Sequence, residues 1–272
     1  MRIRLLTTAD LHQSRLHYRS LVLATKELKP DAVAVVGDAL DFGDIGKYQF
    51  TTPECARMLA SLPVRHLIFV RGNHEARNWR GFVDAWPFET RPLTVLYGTA
   101  CAIGPLVIVG FPCMTGSEED WCDTLPSEGN EITQDLARSG RKPLPADASL
   151  WLPDLMKRTG PAGRTLWLMH ECPVGLPLAR PSVFNPIWTT AIERFSPLLT
   201  VSGHDHDTPL ETGTWRVRWQ GTTCVNVGQT ELDFHHCIID FEFSDTRPAL
   251  PTKITLRALP QDQTVEIRLE PA

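Results

Sequence analysis

The chain has 272 residues, a formal net charge of −5 and a calculated pI near 6.0. The acidic balance excludes a general electrostatic attraction to long nucleic acid or to an anionic membrane surface. The hydrophobic fraction of 42% is ordinary for a folded protein, and no apolar run approaches the roughly 18 residues that a membrane-spanning helix needs. No Pro/Gly/Ser-rich linker divides the sequence, so we expect one domain over residues 1–272.

The cysteines and the N-terminal segment bear on the compartment. Seven cysteines are odd in number and show no Cys-x-x-Cys spacing, so neither a disulfide framework nor a thiolate zinc site is indicated. The apolar run after Met1 is too short for a signal peptide and leads directly into Asp10. We therefore expect a cytoplasmic protein whose cysteines are buried thiols.

The first third of the chain alternates strands with helices. Apolar runs predict strands over 3–8, 32–36 and 66–71, and apolar spacing predicts helices over 17–29 and 53–62. The run at 32–36 lacks alternation, which is typical of a strand buried on both faces. Because crossovers between neighbouring strands are right-handed, these strands should form a parallel sheet.

The rest of the chain is richer in strands. Short strands at 93–97, 100–103 and 106–111 suggest antiparallel hairpins, and the polar segment 112–148 is long enough to be a lid or specificity insertion. The remaining predicted elements are a helix over 149–158, a strand over 165–169, a short helix around Ile192, a strand over 198–202, and strands over 215–220, 223–227, 236–243, 253–259 and 264–269. Two facing sheets with helices outside would bury all of them.

Residue types that bind metals follow five of the predicted strands. These residues are Asp10 and His12, Asp38 and Asp41, Asn73 and His74, His170, and His204 and His206. In open α/β sheets, ligands bind beyond the carboxyl ends of the strands, so the five segments should converge on one site. Carboxylate, amide and imidazole donors without sulfur suit Mn²⁺, Fe²⁺ or Zn²⁺. Two such ions about 3.5–4 Å apart can generate hydroxide and clamp a phosphoryl group.

In order, the motifs are Asp10-Leu-His12, Gly37-Asp-Ala-Leu-Asp41, Gly72-Asn-His-Glu75, His170 and Gly203-His-Asp-His206. This series closely resembles the calcineurin-like metallophosphoesterase superfamily, and the resemblance spans residues 10–206. It implies an α/β fold, a four-layer α/β/β/α sandwich of two mixed β-sheets flanked by helices. It also implies a dinuclear-metal-dependent phosphoester hydrolase in which a metal-bridging hydroxide is the nucleophile.

The resemblance also implies a role for each motif residue. Asp10, His12, Asp38 and His206 would hold one metal ion, and Asp38, Asn73, His170 and His204 the other, with Asp38 as the bridge. His74, paired with Asp41, would face the scissile phosphate as a catalytic residue, and Asn73 would contact the substrate. A histidine oriented by a carboxylate is a positioned general acid.

Three residues near the motifs are not assigned as ligands. Arg71 either binds the phosphate or pairs with an acid such as Glu75. Glu75 and Asp205 are expected to fix the ligand loops by hydrogen bonds.

The second motif continues as Asp41-Phe-Gly43, where the phosphoprotein phosphatases have Asp-Arg-Gly. A bidentate arginine matters most for a dianionic monoester, so its loss favours a phosphodiester or another small, nucleotide-like substrate. The alternatives are a phosphomonoesterase, including a protein phosphatase, a nuclease, and a non-catalytic metal-binding scaffold of the same fold. The sequence leaves the oligomeric state open.

Overall fold

The computed structural model describes residues 1–41, 46, 48–111, 113, 150–160, 162–230, 233–245, 247–260 and 262–269. The predicted insertion at 112–148 lies outside these residues except for Cys113, so its role as a lid stays a prediction. Among the described helices, none is long and apolar enough to cross a membrane.

The first sheet contains seven strands in the order β13-β12-β11-β1-β2-β3-β4. Strands β1 to β4 run parallel, as predicted for the first three, and β11 joins β1 in the antiparallel direction. The strands are β1 (Arg2–Thr8), β2 (Ala32–Val36), β3 (His66–Val70), β4 (Thr94–Leu96), β11 (His236–Ser244), β12 (Arg247–Leu259) and β13 (Gln263–Arg268).

The second sheet contains six strands in the order β5-β6-β7-β8-β10-β9. Strands β6, β7, β8 and β10 are parallel, and β5 and β9 close the two edges in the antiparallel direction. The strands are β5 (Thr99–Ile103), β6 (Leu106–Phe111), β7 (Thr165–Met169), β8 (Leu199–Ser202), β9 (Arg216–Trp219) and β10 (Thr222–Asn226).

Helices cover the outer face of each sheet, and the two inner faces bury a common core. The helices are α1 (Arg15–Leu28), α2 (Thr52–Ala60), α3 (Glu75–Ala85), α4 (Leu152–Thr159), α5 (Pro186–Phe195) and α6 (Thr208–Thr212). Aliphatic side chains of both sheets, such as Val36 and Leu168, form one cluster between the sheets. Helices α1 to α3 pack on the first sheet, and α4 and α5 on the second. The predicted α/β/β/α sandwich is thus confirmed.

Local sequence explains where several helices begin. The capping box of Thr51 and Glu54 starts α2, with Pro53 in its first turn. Asn185 caps α5 through a bond from the backbone N–H of Ile187. By contrast, α3 begins after His74, whose side chain makes no capping hydrogen bond, and the sequence interpretation missed this helix.

One topology prediction was wrong. The segments around β4 and β5 were expected to form antiparallel hairpins, yet β4 pairs in parallel with β3 in the first sheet. Only β5 and β6 form the expected antiparallel pair, in the second sheet. Tyr97 and Gly98 therefore connect the first sheet to the second. A glycine turn can join two sheets as well as two neighbouring strands, so the sequence did not distinguish the two arrangements.

Candidate metal centre

The loops after β1 and β2 stay hydrogen-bonded beyond the strands themselves. The backbone N–H of Asp10 donates to the carbonyl of Gly37 at 2.9 Å, and that of His12 donates to the carbonyl of Asp38 at 2.9 Å. Asp10, His12 and Asp38 have φ values of 54°, 42° and 51°, in the left-handed region that L residues rarely adopt. Such backbone persists only where its surroundings impose it and is concentrated at functional sites.

A first group of donor atoms consists of Asp10, His12 and His206, whose candidate ligand atoms all lie within 4.8 Å of one another. The Nε2 atoms of His12 and His206 are 3.2 Å apart, and His206 Nε2 is 3.5 Å from Asp10 Oδ1. This places a carboxylate and two imidazoles from the ends of β1 and β8 around one point.

A second group of donor atoms consists of Asp38, His170 and His204, again within 4.8 Å of one another. His170 Nε2 lies 3.1 Å from Asp38 Oδ2 and 3.0 Å from Asn73 Oδ1. His170 Nδ1 lies 3.1 Å from the carbonyl of Val36, which fixes the ring and leaves Nε2 for the site. The structure thus brings every predicted metal ligand to one edge of the sandwich.

Two glycines allow this close approach. Gly37 has a φ of 90°, and a Cβ there would lie 2.2 Å from Nδ1 of His170. A Cβ on Gly72 would lie 2.1 Å from Oδ1 of Asp38. Any side chain at either position would displace a candidate ligand.

The buried carboxylates interact mainly with histidines. Burial alone would raise the pKa of Asp38, but the charge and hydrogen bond of His170 outweigh it and hold that pKa well below its usual range. Burial likewise opposes protonation of His170, yet the carboxylate of Asp38 raises the pKa of His170 to about 10. For Asp10, burial is again outweighed, here by His206, and the pKa of Asp10 is lowered.

The donor set fits divalent metal ions. Asp10 and Asp38 are both buried, and among the described residues their ion-pair partners are histidines rather than lysine or arginine. Two buried carboxylates surrounded by imidazoles and an amide oxygen are compensated well by cations that prefer N and O ligands.

His74 and Asp41 form a pair beside the ligands. His74 Nδ1 is 3.0 Å from Asp41 Oδ1, and the backbone N–H of His74 donates to Asp38 Oδ1 at 2.8 Å. The other ring nitrogen, Nε2, is directed at the ligand groups and lies 3.9 Å from Asp38 Oδ2. The ring also packs edge-on to His12, with centroids 4.6 Å apart.

Glu75 and Asp205 fix the ligand loops by hydrogen bonds, as predicted. The Glu75 carboxylate accepts from the backbone N–H groups of Gly72 at 2.6 Å and of Asp38 and Leu40 at 3.0 Å each. Burial, followed by the negative charge of Asp38, raises the pKa of Glu75 to about 7. Asp205 accepts from the backbone N–H groups of Arg180, Asp207 and Thr208 and from the Thr208 hydroxyl.

The Arg71 side chain is buried against an aromatic ring. It is only 1% exposed, and its guanidinium carbon is 5.1 Å from the centroid of the Trp79 ring. Burial lowers the pKa of Arg71 to about 10, and the nearby Glu75 opposes this shift. Of the two interpretations of Arg71, the neighbouring charge of Glu75 favours pairing with an acid.

Three residues that the sequence interpretation did not single out contact Asp41. Gln49 Nε2 donates to Asp41 Oδ2 at 2.8 Å, Gln13 Oε1 accepts from the Asp41 backbone N–H at 3.0 Å, and Asn78 Nδ2 donates to the Asp41 carbonyl at 2.5 Å. Glutamine and asparagine in a loop or on a helix carry no motif, so only the three-dimensional structure reveals these contacts.

Metal-ligand residues at the strand ends of a two-sheet α/β sandwich define a class of metal-dependent hydrolases. The family model for calcineurin-like phosphoesterase matches residues 3–208 of this sequence. The chain belongs to that family and is a phosphoester hydrolase. A comparison with curated protein sequences found no match.

Solved structures share the fold at low sequence identity. A dimetal phosphatase from Danio rerio is 12% identical with a TM-score of 0.63, covering 98% of this chain and 99% of its own. TT1561 of Thermus thermophilus is 13% identical with a TM-score of 0.54, covering 98% and 99%. GAP50, described as the anchor in the inner membrane complex of Plasmodium, is 10% identical with a TM-score of 0.51, covering 99% and 90%.

Proposed function

We propose that this protein is a two-metal phosphodiesterase that acts on a small or nucleotide-like substrate. The observation that carries the proposal is the pair of donor groups, Asp10/His12/His206 and Asp38/His170/His204, at one edge of the sandwich. Asp38 interacts electrostatically with histidines of both groups, including His12 and His170, as a bridging carboxylate should. Asn73 completes the second group through Oδ1.

Two divalent ions bound there would lower the pKa of a water molecule that serves as the nucleophile and would neutralise charge on the phosphoryl group. Mn²⁺, Fe²⁺ and Zn²⁺ all suit the N and O donors. The protein side chains would then orient the phosphate and deliver a proton to the leaving oxygen. His74, held by Asp41 through Nδ1, has Nε2 aimed at the ligand groups and is placed to protonate the leaving oxygen.

The proposed preference for a diester depends on the positive side chains near the centre. A dianionic monoester requires more cationic contacts than a monoanionic diester, and a bidentate arginine is the usual one. Arg71 is buried, and the Arg180 guanidinium faces Asp205 and Asp207. The arginine that follows the second motif in phosphoprotein phosphatases is replaced by Phe42.

The proposed compartment is the cytoplasm. All described cysteines are free thiols, and five of them, including Cys55 and Cys237, are buried. Free thiols of this kind are typical of a reducing compartment.

The proposal is tested by hydrolysis of bis(p-nitrophenyl) phosphate and p-nitrophenyl phosphate by metal-stripped protein, with and without Mn²⁺. We expect manganese-dependent cleavage of the diester at a higher kcat/KM than the monoester. The Asp38→Asn variant should be inactive, and Asp84→Asn, which changes an exposed aspartate on α3, should match the wild type.

Each other outcome would change the proposal in a defined way. A higher kcat/KM for the monoester would contradict the diester preference and identify a phosphomonoesterase. No turnover of either ester by protein holding two ions per chain would contradict both assignments for these substrate classes and favour the scaffold.

A further inference from the structure

The two carboxylate oxygens of Asp41 have different partners. Oδ1 is 3.0 Å from His74 Nδ1, and Oδ2 accepts from Gln49 Nε2 at 2.8 Å. We propose that Gln49 is a positioning residue for leaving-group protonation, acting through Asp41 on His74. This inference rests on the proposed phosphoesterase function, and Gln49 lies outside the five sequence motifs.

Gln49 is itself held at both ends of its amide. Oε1 accepts from the backbone N–H of Gly46 at 2.7 Å, and Nε2 donates to the carbonyl of His12 at 3.1 Å as well as to Asp41. Because a backbone N–H can only donate and a carbonyl can only accept, these contacts define which end of the amide is the oxygen. The amide nitrogen therefore faces the Asp41 carboxylate.

The backbone around Gln49 is fixed to helix α1. Arg15 Nε donates to the Gln49 carbonyl at 2.9 Å, and the Arg15 backbone N–H donates to the carbonyl of Tyr48 at 3.0 Å. The Phe50 backbone N–H donates to the carbonyl of Gln13 at 2.7 Å. These backbone contacts anchor Gln49, so its side chain can restrain the Asp41 carboxylate.

Different side chains hold the backbone and the carboxylate of Asp41. Gln13 and Asn78 bind the backbone N–H and carbonyl of Asp41, at 3.0 and 2.5 Å. Gln49 binds Oδ2 of the carboxylate and so restrains rotation about χ2, which is a soft torsion. With Oδ2 held, Oδ1 keeps its direction toward His74 Nδ1, and Nε2 keeps its direction toward the substrate.

The chemical step shows what this restraint does. As the nucleophilic oxygen bonds to phosphorus, the P–O bond to the leaving group breaks and its electron pair stays on the leaving oxygen. The N–H at Nε2 of His74 gives its proton to that oxygen, which leaves as a neutral alcohol, and the electron pair of the N–H bond stays on Nε2. A misdirected His74 should therefore matter most for an alcohol that leaves poorly as an anion.

The test substitutes Gln49→Met, which keeps the side-chain length and removes the amide donor. Gln220→Met is the matched control, because Gln220 is exposed in the β9–β10 turn, at the end of the second sheet away from the ligands. Both variants and the wild type are assayed with aryl and alkyl phosphate diesters of graded leaving-group acidity. We expect Gln49→Met to lower kcat about 10- to 100-fold for alkyl esters and less than about threefold for p-nitrophenyl esters.

Two further readouts separate positioning from a structural role. Metal content per chain should equal that of the wild type. The proton NMR resonance of His74 Nδ1–H, assigned by its absence in His74→Ala, should shift or broaden in Gln49→Met and stay unchanged in Gln220→Met. In a His74→Ala background, Gln49→Met should have no further effect on any ester, because residues that act as one unit are not additive.

The outcomes distinguish this inference from the function on which it rests. A loss of equal size for all esters, an unchanged Nδ1–H resonance, or additive losses in the double variant would overturn the positioning role of Gln49 while the wild type stays active. A wild type with two ions bound and no activity on any ester would overturn the proposed function and this inference together.

Discussion

The two groups of candidate ligands differ in burial and in the protein contacts that hold them. In the second group, His170 is fully buried and held by the Val36 carbonyl, and the Asp38 loop is fastened by Glu75. In the first group, the His206 side chain is 36% exposed and its ring nitrogen contacts other candidate ligands. We infer that the second group is preorganised by the protein and that the first depends more on its metal ion. An ion in the first group should therefore exchange more readily.

Asp38→Asn should have the largest effect, because Asp38 is the residue assigned to both groups. We expect metal content, measured by mass spectrometry of the purified protein, to fall from two ions per chain to less than one. Activity should fall below detection. A variant that kept both ions and wild-type turnover would refute the bridging role.

His170→Ala and His206→Ala compare the two groups directly. In metal-free protein, His170→Ala removes the buried partner of Asp38 and should lower the free energy of unfolding by about 3–5 kcal/mol. His206→Ala should lower it far less, because that side chain is partly exposed. Urea denaturation measures both, and equal losses would show that the two groups are held alike.

His74→Ala should slow turnover about 10²- to 10⁴-fold while both ions remain bound, since His74 is assigned to proton transfer rather than to metal binding. His66→Ala, at the opposite end of β3, is the control and should keep full activity. Loss of an ion from His74→Ala would indicate that His74 is a metal ligand and would contradict its assignment to proton transfer.

Glu75→Gln should have the smallest of these effects. One of its two carboxylate oxygens becomes an NH₂ group facing backbone donors, so the loops of Asp38 and Asn73 are held less firmly. Affinity for the second ion should fall about 10- to 100-fold, as for other residues that support ligands. Isothermal titration with Mn²⁺ measures it, with the exposed Glu193→Gln as control, and an unchanged affinity would show that Glu75 does not support the centre.

The sequence predicted the strands that carry the ligands because their signals are strong. Residues 32–36 form an uninterrupted apolar run rich in valine, and the polar residues that follow such runs recur at five strand ends. The crossover between sheets at Gly98 could not be predicted, because a turn residue does not specify which strand the chain joins next. Helix α3 was missed because its N-cap residue, His74, is not one of the residue types that signal a helix start.

The same contrast holds within the site. The ligands and the His74–Asp41 pair are recognisable as residue types at fixed spacings. The burial of Arg71 and the contacts of Gln13, Gln49 and Asn78 with Asp41 depend on how separate segments pack. Local sequence records such packing only weakly.

Anomalous diffraction from a crystal grown with Mn²⁺ tests the two-metal centre most directly. We predict two peaks about 3.5–4 Å apart, with the Asp38 carboxylate between them, Asp10, His12 and His206 around one, and Asn73, His170 and His204 around the other. A single peak, or two peaks that do not share Asp38, would contradict the dinuclear centre proposed for this site.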